Sequence, residues 1–404
     1  MTSGNTRRVL VALNLMAGLP FGIFFEAMPT YMRVVHCSLA QIGLMAMAQL
    51  PWSLKILWSP LIDRYGRLDR WLRSAQLGLA LVLTLLIVRH GMEGGLWMLP
   101  LLVALATASA VQDTISDAAF VHLTQALPAS EAATAGSWRI SAYKLSMMAS
   151  GGGAIALGAL WGWPMTFGLG AAVCLISALL LPQALRPITA QPPVTLRAWG
   201  RALRLWLDHP GAWGTFAFIL LYKLGLATLN PMTKPYWVDA GVDQTFLGMF
   251  SATVGLSGTV GGALLAGRIG GRRGMIFPLV AGTLAEFAAC LVYAMAAHLP
   301  YSPGLLATCL LAEGMAQGMA TAALVQLLSC ICDRSQAATQ FAALTATFGI
   351  TRAMGGLLGG FVAQSYGYVA LFSLLPLCCL WSLLYLRSVQ RRLTVALAPG
   401  PTGP

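Results

Sequence analysis

Ten ionisable side chains interrupt the long apolar stretches of this chain: Glu26, Lys55, Asp113, Asp117, Arg139, Lys144, Lys223, Glu286, Glu313 and Arg352. Five are acids and five are bases. At the centre of a helix in lipid each costs roughly 2.5 to 3.5 kcal/mol, so a set balanced in sign points to pairs arranged around a polar cavity. Such groups suit two kinds of chemistry. A carboxyl whose surroundings alternate between wet and dry can take and release a proton, and Glu26, Glu313, Asp113 and Asp117 are the candidates. A desolvated cation attracts a carboxylate or phosphate on a solute. Lys223, beside Tyr222, is the favoured anion contact, with Arg139, Lys144, Lys55 and Arg352 as others, and the amides Gln112 and Gln317 complete the candidate solute-binding set. Asp113 and Asp117, four residues apart, share one helix face, and Arg139 and Lys144 fall at comparable depth on the next stretch, so the two helices are expected to exchange salt bridges. Those pairs serve equally well as clamps between helices. Glu286 reads as a helix-packing partner.

The elements that carry these groups are membrane spans. With 404 residues, 57% hydrophobic, 9% charged and a mean hydropathy of +0.73, the chain is no soluble globule. A span needs about 20 apolar residues, and about twelve are present: 9–32, 40–61, 72–90, 96–120, 134–157, 163–183, 211–233, 244–266, 275–297, 304–330, 338–361 and 367–387. An even number leaves both termini on one side. Seventeen arginines fall on that side, against Arg33, Arg89 and Lys234 on the other, so both termini are expected in the cytoplasm. Basic loops facing anionic lipid head groups account for the net charge of +12 without nucleic acid. Glu26 precedes Met28-Pro29, where a helix break is expected. Of the aromatic residues, Phe21, Phe24, Phe25, Trp52, Trp58, Trp138, Tyr143 and Tyr236 suit stacking on a solute ring, whereas Trp97, Trp161, Trp163, Trp199, Trp206 and Trp381 read as interface anchors near span ends. Gly258 and Gly262, like Gly355 and Gly359, have the four-residue spacing that permits close helix approach.

Enzyme signatures are missing from the sequence: there is no HExxH, GxSxG or P-loop. His36, His90, His122, His209 and His298 sit near span ends, which argues against a buried metal site, and seven of the eight Cys lie in or beside spans, which argues against a disulfide framework. No catalytic residue, metal or cofactor is assigned.

The chain also repeats itself. Gly43 and Gly66-Arg67 recur as Gly248 and Gly271-Arg272 at an offset of 205 residues, kept by Gln112 and Gln317 and by Tyr31 and Tyr236. Between the halves lies a basic, Pro-rich stretch. The expected layout is a six-span bundle over 1–184, a cytoplasmic linker over 185–210, a second bundle over 211–390 and a tail over 391–404. Two halves in the same orientation joined by such a loop resemble the major facilitator transporters. SPLIDRYGRLDRW after the second span resembles that superfamily's loop signature through Asp63, Arg64, Gly66 and Arg67, with Ser59 where the family usually has Gly. The implied role is a cytoplasmic gate, to which Gly271 and Arg272 contribute a second copy whose acid is replaced by Arg268.

Within the superfamily the chain resembles the AmpG-like muropeptide permeases and their siderophore-uptake relatives. The resemblance rests on GLPFG at Gly18 to Gly22, LPWSLKILWSPLIDR at Leu50 to Arg64, VQDTISDA at Val111 to Ala118, YKLG at Tyr222 to Gly225 and ATQFAALTA at Ala338 to Ala346. Many muropeptide permeases carry two further spans, and this compact chain is closer in size to the siderophore branch. The resemblance implies an all-α protein of about 12 transmembrane helices in two bundles, working as a monomer in the bacterial inner membrane. It implies proton-coupled movement of a bulky polar or anionic solute by alternating access, with the solute held between spans 1, 4, 5, 7, 10 and 11. Muropeptide import is the first reading; siderophore uptake and export are the alternatives, and a membrane sensor or enzyme is the reading from another class.

Overall fold

A computed structural model describes residues 3–54, 62, 67–90, 95–124, 129–185, 200–201, 204, 207–332 and 337–397. Helices, and no strand, are found among the described residues. This is the form a lipid-immersed chain takes, since each helix satisfies its own backbone groups. Nine helices among the described residues are long and apolar enough to cross a membrane. The last of them, Leu344–Arg391, holds two spans, because Gly367 at φ 81° and ψ 169° interrupts the helix. Ala129–Trp161, 33 residues long, supplies a further span of the twelve expected, and the second expected span is described from Leu39 to Leu54.

In chain order α1 (Ser3–Gly22) widens into a π turn at Ile23–Ala27 and continues as α2 (Met28–Val34). Where the sequence predicts a break at Pro29, the helix widens instead: the ring has no N–H and crowds the carbonyl four residues back, which the extra residue per turn relieves. Then come α3 (Leu39–Met45), α4 (Leu50–Ser53), α5 (Leu68–Val88), α6 (Met98–Thr124), α7 (Ala129–Trp161) and α8 (Trp163–Leu185). The seventh span is broken at Lys223, φ −114° and ψ 19°, into α9 (Ala212–Tyr222) and α10 (Leu224–Asp239). It is followed by α11 (Gln244–Phe250), a second π turn at Ser251–Gly255, α12 (Leu256–Arg273), α13 (Ile276–Ala296), α14 (Pro303–Ile331), α15 (Ala337–Leu380) and α16 (Leu386–Leu397).

The chain divides into two compact units, 1–193 with 234–252, and 194–233 with 253–404. In the first unit α1 lies against α7 through Gly18 and Gly22, where a Cβ would run into the Tyr143 and Met147 carbonyls. Ser146 Oγ donates to the Leu15 carbonyl and Ser150 Oγ to that of Leu19 at 3.0 Å. Small residues and back-bonding hydroxyls are how helices associate where lipid removes the hydrophobic drive. The second unit contains the same device. Thr351 Oγ1 donates to the Leu220 carbonyl at 2.9 Å, and both residues stand 205 positions beyond Ser146 and Leu15. The spacing argument for Gly258 and Gly262 agrees with the packing: α12 meets α14 there, with a Gly258 Cβ 2.7 Å from the Leu311 carbonyl.

Two sequence expectations are corrected. Lys234 does not belong to a loop, because α10 runs on to Asp239 and leaves Lys234 only 4% exposed. Trp163 is no interface anchor either; it is buried with its ring 5.0 Å from Tyr31 and 5.8 Å from Phe167.

Candidate solute and proton sites

The first unit gathers its charges at three points. Glu26, held by the π turn, lies with Oε2 3.1 Å from Lys234 Nζ. Seven residues on, Arg33 Nε reaches Asp239 Oδ1 at 2.6 Å. These two residues, with Val34, His36, Val238 and Gln244, line a cavity of about 530 Å³. Deeper along α1, Arg139 on α7 bonds both the Asp117 carboxylate on α6 and, at 3.1 Å, Asn14 Oδ1. Asn14 donates in turn to the Leu10 carbonyl at 2.9 Å, and the guanidinium lies 5.0 Å from the Phe120 ring. Asp117 and Arg139 are thus brought together across two helices, with Asp113 one turn before Asp117 on the same face. Lys144 is exposed on α7. Gln112 is fully buried on α6, and neither of its amide atoms has a hydrogen-bond partner; the same holds for the Ser116 hydroxyl.

An aromatic group stands beside these charges. Phe21, Phe24 and Phe25 surround Trp52 at ring separations of 5.2, 5.0 and 5.4 Å, and Tyr143 lies 5.8 Å from Phe21. Five aromatic side chains, from α1 with its π turn, α4 and α7, bring π faces to the same region as Glu26.

In the second unit Lys223, at the break in the seventh span, is 2% exposed and donates from Nζ to Thr321 Oγ1 at 2.8 Å. Its ammonium is 5.0 Å from the Phe348 ring, and the Arg352 guanidinium is 5.8 Å from the same ring, so two cations share one π system. Tyr222 is fully buried, its hydroxyl donating to the Leu279 carbonyl at 3.3 Å. Glu313 accepts from the Tyr293 hydroxyl at 2.7 Å and, with the Asn230 amide turned so that its nitrogen faces the carboxylate, from that amide at 3.3 Å on its other oxygen. Gln317, one turn further along α14, has an amide oxygen without a partner.

Among the residues of the expected gate, Asp63, Arg64 and Gly66 lie outside the described residues, as does Lys55 in the second span. Arg67 forms a two-pronged bond to Asp69 at 2.9 Å on both arms, and that hydrogen bond holds the Arg67 guanidinium above its ordinary pKa. Gly271 and Arg272 are exposed at the end of α12. Sequence reasoning missed Lys234, Asp239, Asn14, Tyr293, Asn230 and Thr321 as partners. The available signal for Asn14 is a lone amide in an apolar span; for Tyr293 and Thr321 nothing in the sequence sets them apart.

No group of three or more His, Cys, Asp or Glu that could hold a metal ion occurs among the described residues. Charge pairs and unsatisfied amides inside membrane-spanning helices are what a solute carrier uses, since it needs polar groups to bind a cargo and no group to react with it. The chain belongs to the Major Facilitator Superfamily, whose family model matches residues 10–343. It is 31% identical to the anhydromuropeptide permease of Escherichia coli (strain K12) over 398 residues, covering 94% of this chain and 76% of that one. A putative transporter, AmpG 4, of Rickettsia conorii is 24% identical over 93% of this chain and 95% of its own. Among solved structures, the chain superposes on a variant of the nucleoside transporter NupG with a TM-score of 0.73 at 13% identity, covering 96% and 99% of the two chains. A bacterial homologue of the human lysosomal transporter Spinster gives a TM-score of 0.67 at 15% identity over 98% and 95%. The chain is therefore a multi-pass membrane transporter with the superfamily's fold of 12 helices, and not an enzyme.

Proposed function

We propose that this chain is a proton-coupled permease that imports anhydro-muropeptides across the bacterial inner membrane by alternating access, as a monomer with both termini in the cytoplasm. The observation that carries the reading is the 31% identity to an anhydromuropeptide permease along 94% of the chain. The side chains suit such a cargo. Sugar rings stack on aromatic faces of the kind Phe21, Phe25 and Trp52 offer, and the Gln112 amide and the Gln317 amide oxygen, which have no partner, can bond a polar solute. The peptide carboxylates call for cations, for which Lys223, Arg139, Lys144 and Arg352 are the candidates. Glu26, Glu313, Asp113 and Asp117 are the candidates for the coupling proton. The Glu26–Lys234 pair at 3.1 Å gives a carboxylate whose proton uptake would discharge an ion pair. Arg67, with Asp63, Arg64 and Gly66, would form the cytoplasmic gate, and Gly271 and Arg272 its weaker copy.

The test is uptake of radiolabelled anhydro-muropeptide into vesicles with an imposed proton gradient, with and without this protein. Gradient-dependent uptake that collapses with a protonophore supports the reading. Uptake of iron-loaded siderophore alone, in the same vesicles, would replace muropeptide import by iron acquisition.

A further inference from the structure

Glu286 stands at the middle of α13, ten residues from either end of Ile276–Ala296. It is 0% exposed, and neither carboxylate oxygen has a hydrogen-bond partner. The helix face that carries it looks onto the break in the seventh span. One turn before it, Gly282 lies under the Tyr222 hydroxyl; one turn after it, Cys290 Sγ is 3.7 Å from the position of a Cβ on Gly225. Glu286 is therefore bracketed by contacts to residues 222 and 225, on either side of Lys223. The titratable groups around this face are Tyr222 and Lys223 from the seventh span and Cys379 from α15, of which Lys223 is the one cation. On its own helix Thr283 is occupied with the Leu279 carbonyl, and Cys290 Sγ lies 3.7 Å from Cys379 Sγ.

We propose that Glu286 is a proton-binding site of the second unit, with Lys223 as the counter-charge that receives the carboxylate when the proton leaves. This rests on the proton-coupled reading above. A buried carboxylate without a single donor is stable only as the neutral acid, and neutral Glu286 matches the observed arrangement, in which Lys223 donates to Thr321 and not to Glu286. Loss of the proton to water leaves Oε negative. The lysine, on a four-carbon stem at a point where the helix is already broken, then exchanges Thr321 for the carboxylate. No bond other than the O–H is broken. The exchange takes place at the joint between α9 and α10, so the proton state of α13 is converted into a rearrangement of the broken span.

The experiment has two arms. In the first, infrared spectra of purified wild-type protein and Glu286→Gln are compared at neutral pH, with no substrate present. A carbonyl stretch of a buried, protonated carboxylic acid, present in wild type and absent in the variant, is expected; its absence from wild type overturns the proposal. In the second, proteoliposomes are assayed for accumulation of anhydro-muropeptide under a proton gradient and for counterflow without one. Glu286→Gln should lose accumulation and keep counterflow, because exchange of solute for solute needs no net proton movement. Glu286→Leu, which installs the residue that the first unit has at the equivalent position, Leu81, should behave alike, and it carries the test if Glu286→Gln does not fold. Accumulation at the wild-type level in either variant refutes the proposal. Should wild type itself transport no muropeptide, the substrate reading fails, while the infrared arm still decides the protonation of Glu286.

Discussion

Alanine at Gly262 and alanine at Gly261 should change stability in opposite directions, although the two are neighbours on α12. A Cβ on Gly262 runs into the Met315 carbonyl of α14, with the Met315 C and Cα atoms 2.9 and 3.0 Å away. All three are backbone atoms of a packed helix, so no side chain can swing aside. The methyl is accommodated only by parting α12 from α14, and overpacking of this kind costs about 1 to 3 kcal/mol. On Gly261, which is exposed, a Cβ meets nothing within 4 Å. Both substitutions gain about 1 kcal/mol by replacing a glycine inside a helix. The balance is a loss of about 1 kcal/mol for Gly262→Ala and a gain of up to about 1 kcal/mol for Gly261→Ala. Thermal unfolding of the purified proteins in one detergent, followed by tryptophan fluorescence, should separate them by about 4 °C, at about 2 °C per kcal/mol for a chain of this length. Equal shifts of the same sign would refute the claim that backbone contact, and not glycine content, sets the α12–α14 seam.

A double-mutant cycle on Glu26→Gln and Lys234→Gln should return a coupling of about 2 kcal/mol, intermediate because the lysine side chain is 6% exposed and the glutamate 34%; a coupling of zero would mean the pair carries no energy. Asp117→Asn should slow gradient-driven uptake about tenfold, equivalent to about 1.4 kcal/mol on the barrier, at unchanged protein level, and full activity would leave Asp117 and Arg139 as a clamp only. Cys37, between α2 and α3, is wholly buried, and that burial pushes its thiol from 9.0 to about 11 against the lowering pull of Arg33. Because the folded value lies above the unfolded one, this stabilisation is intact below pH 9 and is lost as pH rises toward 11. Melting temperature measured across that window should fall less in Cys37→Ala than in wild type, and identical profiles would contradict the assignment.

The spans, the seams between them and the Asp117–Arg139 contact were open to sequence reasoning because lipid imposes local rules: a span is a run of apolar residues, and a charge within it calls for an opposite charge at the same depth. The partner of Glu26 is not legible in that way. Ending the seventh span at 233 puts Lys234 in a loop, yet Tyr236, Trp237 and Val238 continue the apolar run and carry the helix to Asp239. A charge at a span end is therefore ambiguous until the helix length is known. Nor does periodicity announce the break at Lys223. It lies seven residues before Asn230-Pro231, with no proline or glycine at the site, and only the neighbouring Gly225 hints at irregular packing. Glu286 looks like a packing residue from its span number alone, and what distinguishes it is the lack of any donor near its oxygens, a three-dimensional fact.

The internal repeat separates what serves the fold from what serves the chemistry. At the offset of 205, Leu15 and Ser146 correspond to Leu220 and Thr351, and the hydroxyl-to-carbonyl bond between the helices is kept in both units. The charges are not kept. Glu26 corresponds to Pro231, Asp117 to Ala322, Arg139 to Leu344, and in the other direction Lys223 to Gly18, Glu286 to Leu81 and Glu313 to Ala108. The change from Gly18 to Lys223 is the telling one. In the first unit the glycine lets α1 lie directly on the backbone of α7, whereas in the second a lysine occupies the equivalent place, the helix is broken and the side chain reaches across to α14. A feature present in both copies answers to packing, which the two bundles share. One confined to a single copy, at the expense of a regular helix and a buried charge, has to be explained by what that unit alone does, and in the second unit Lys223, Glu286 and Glu313 are such features.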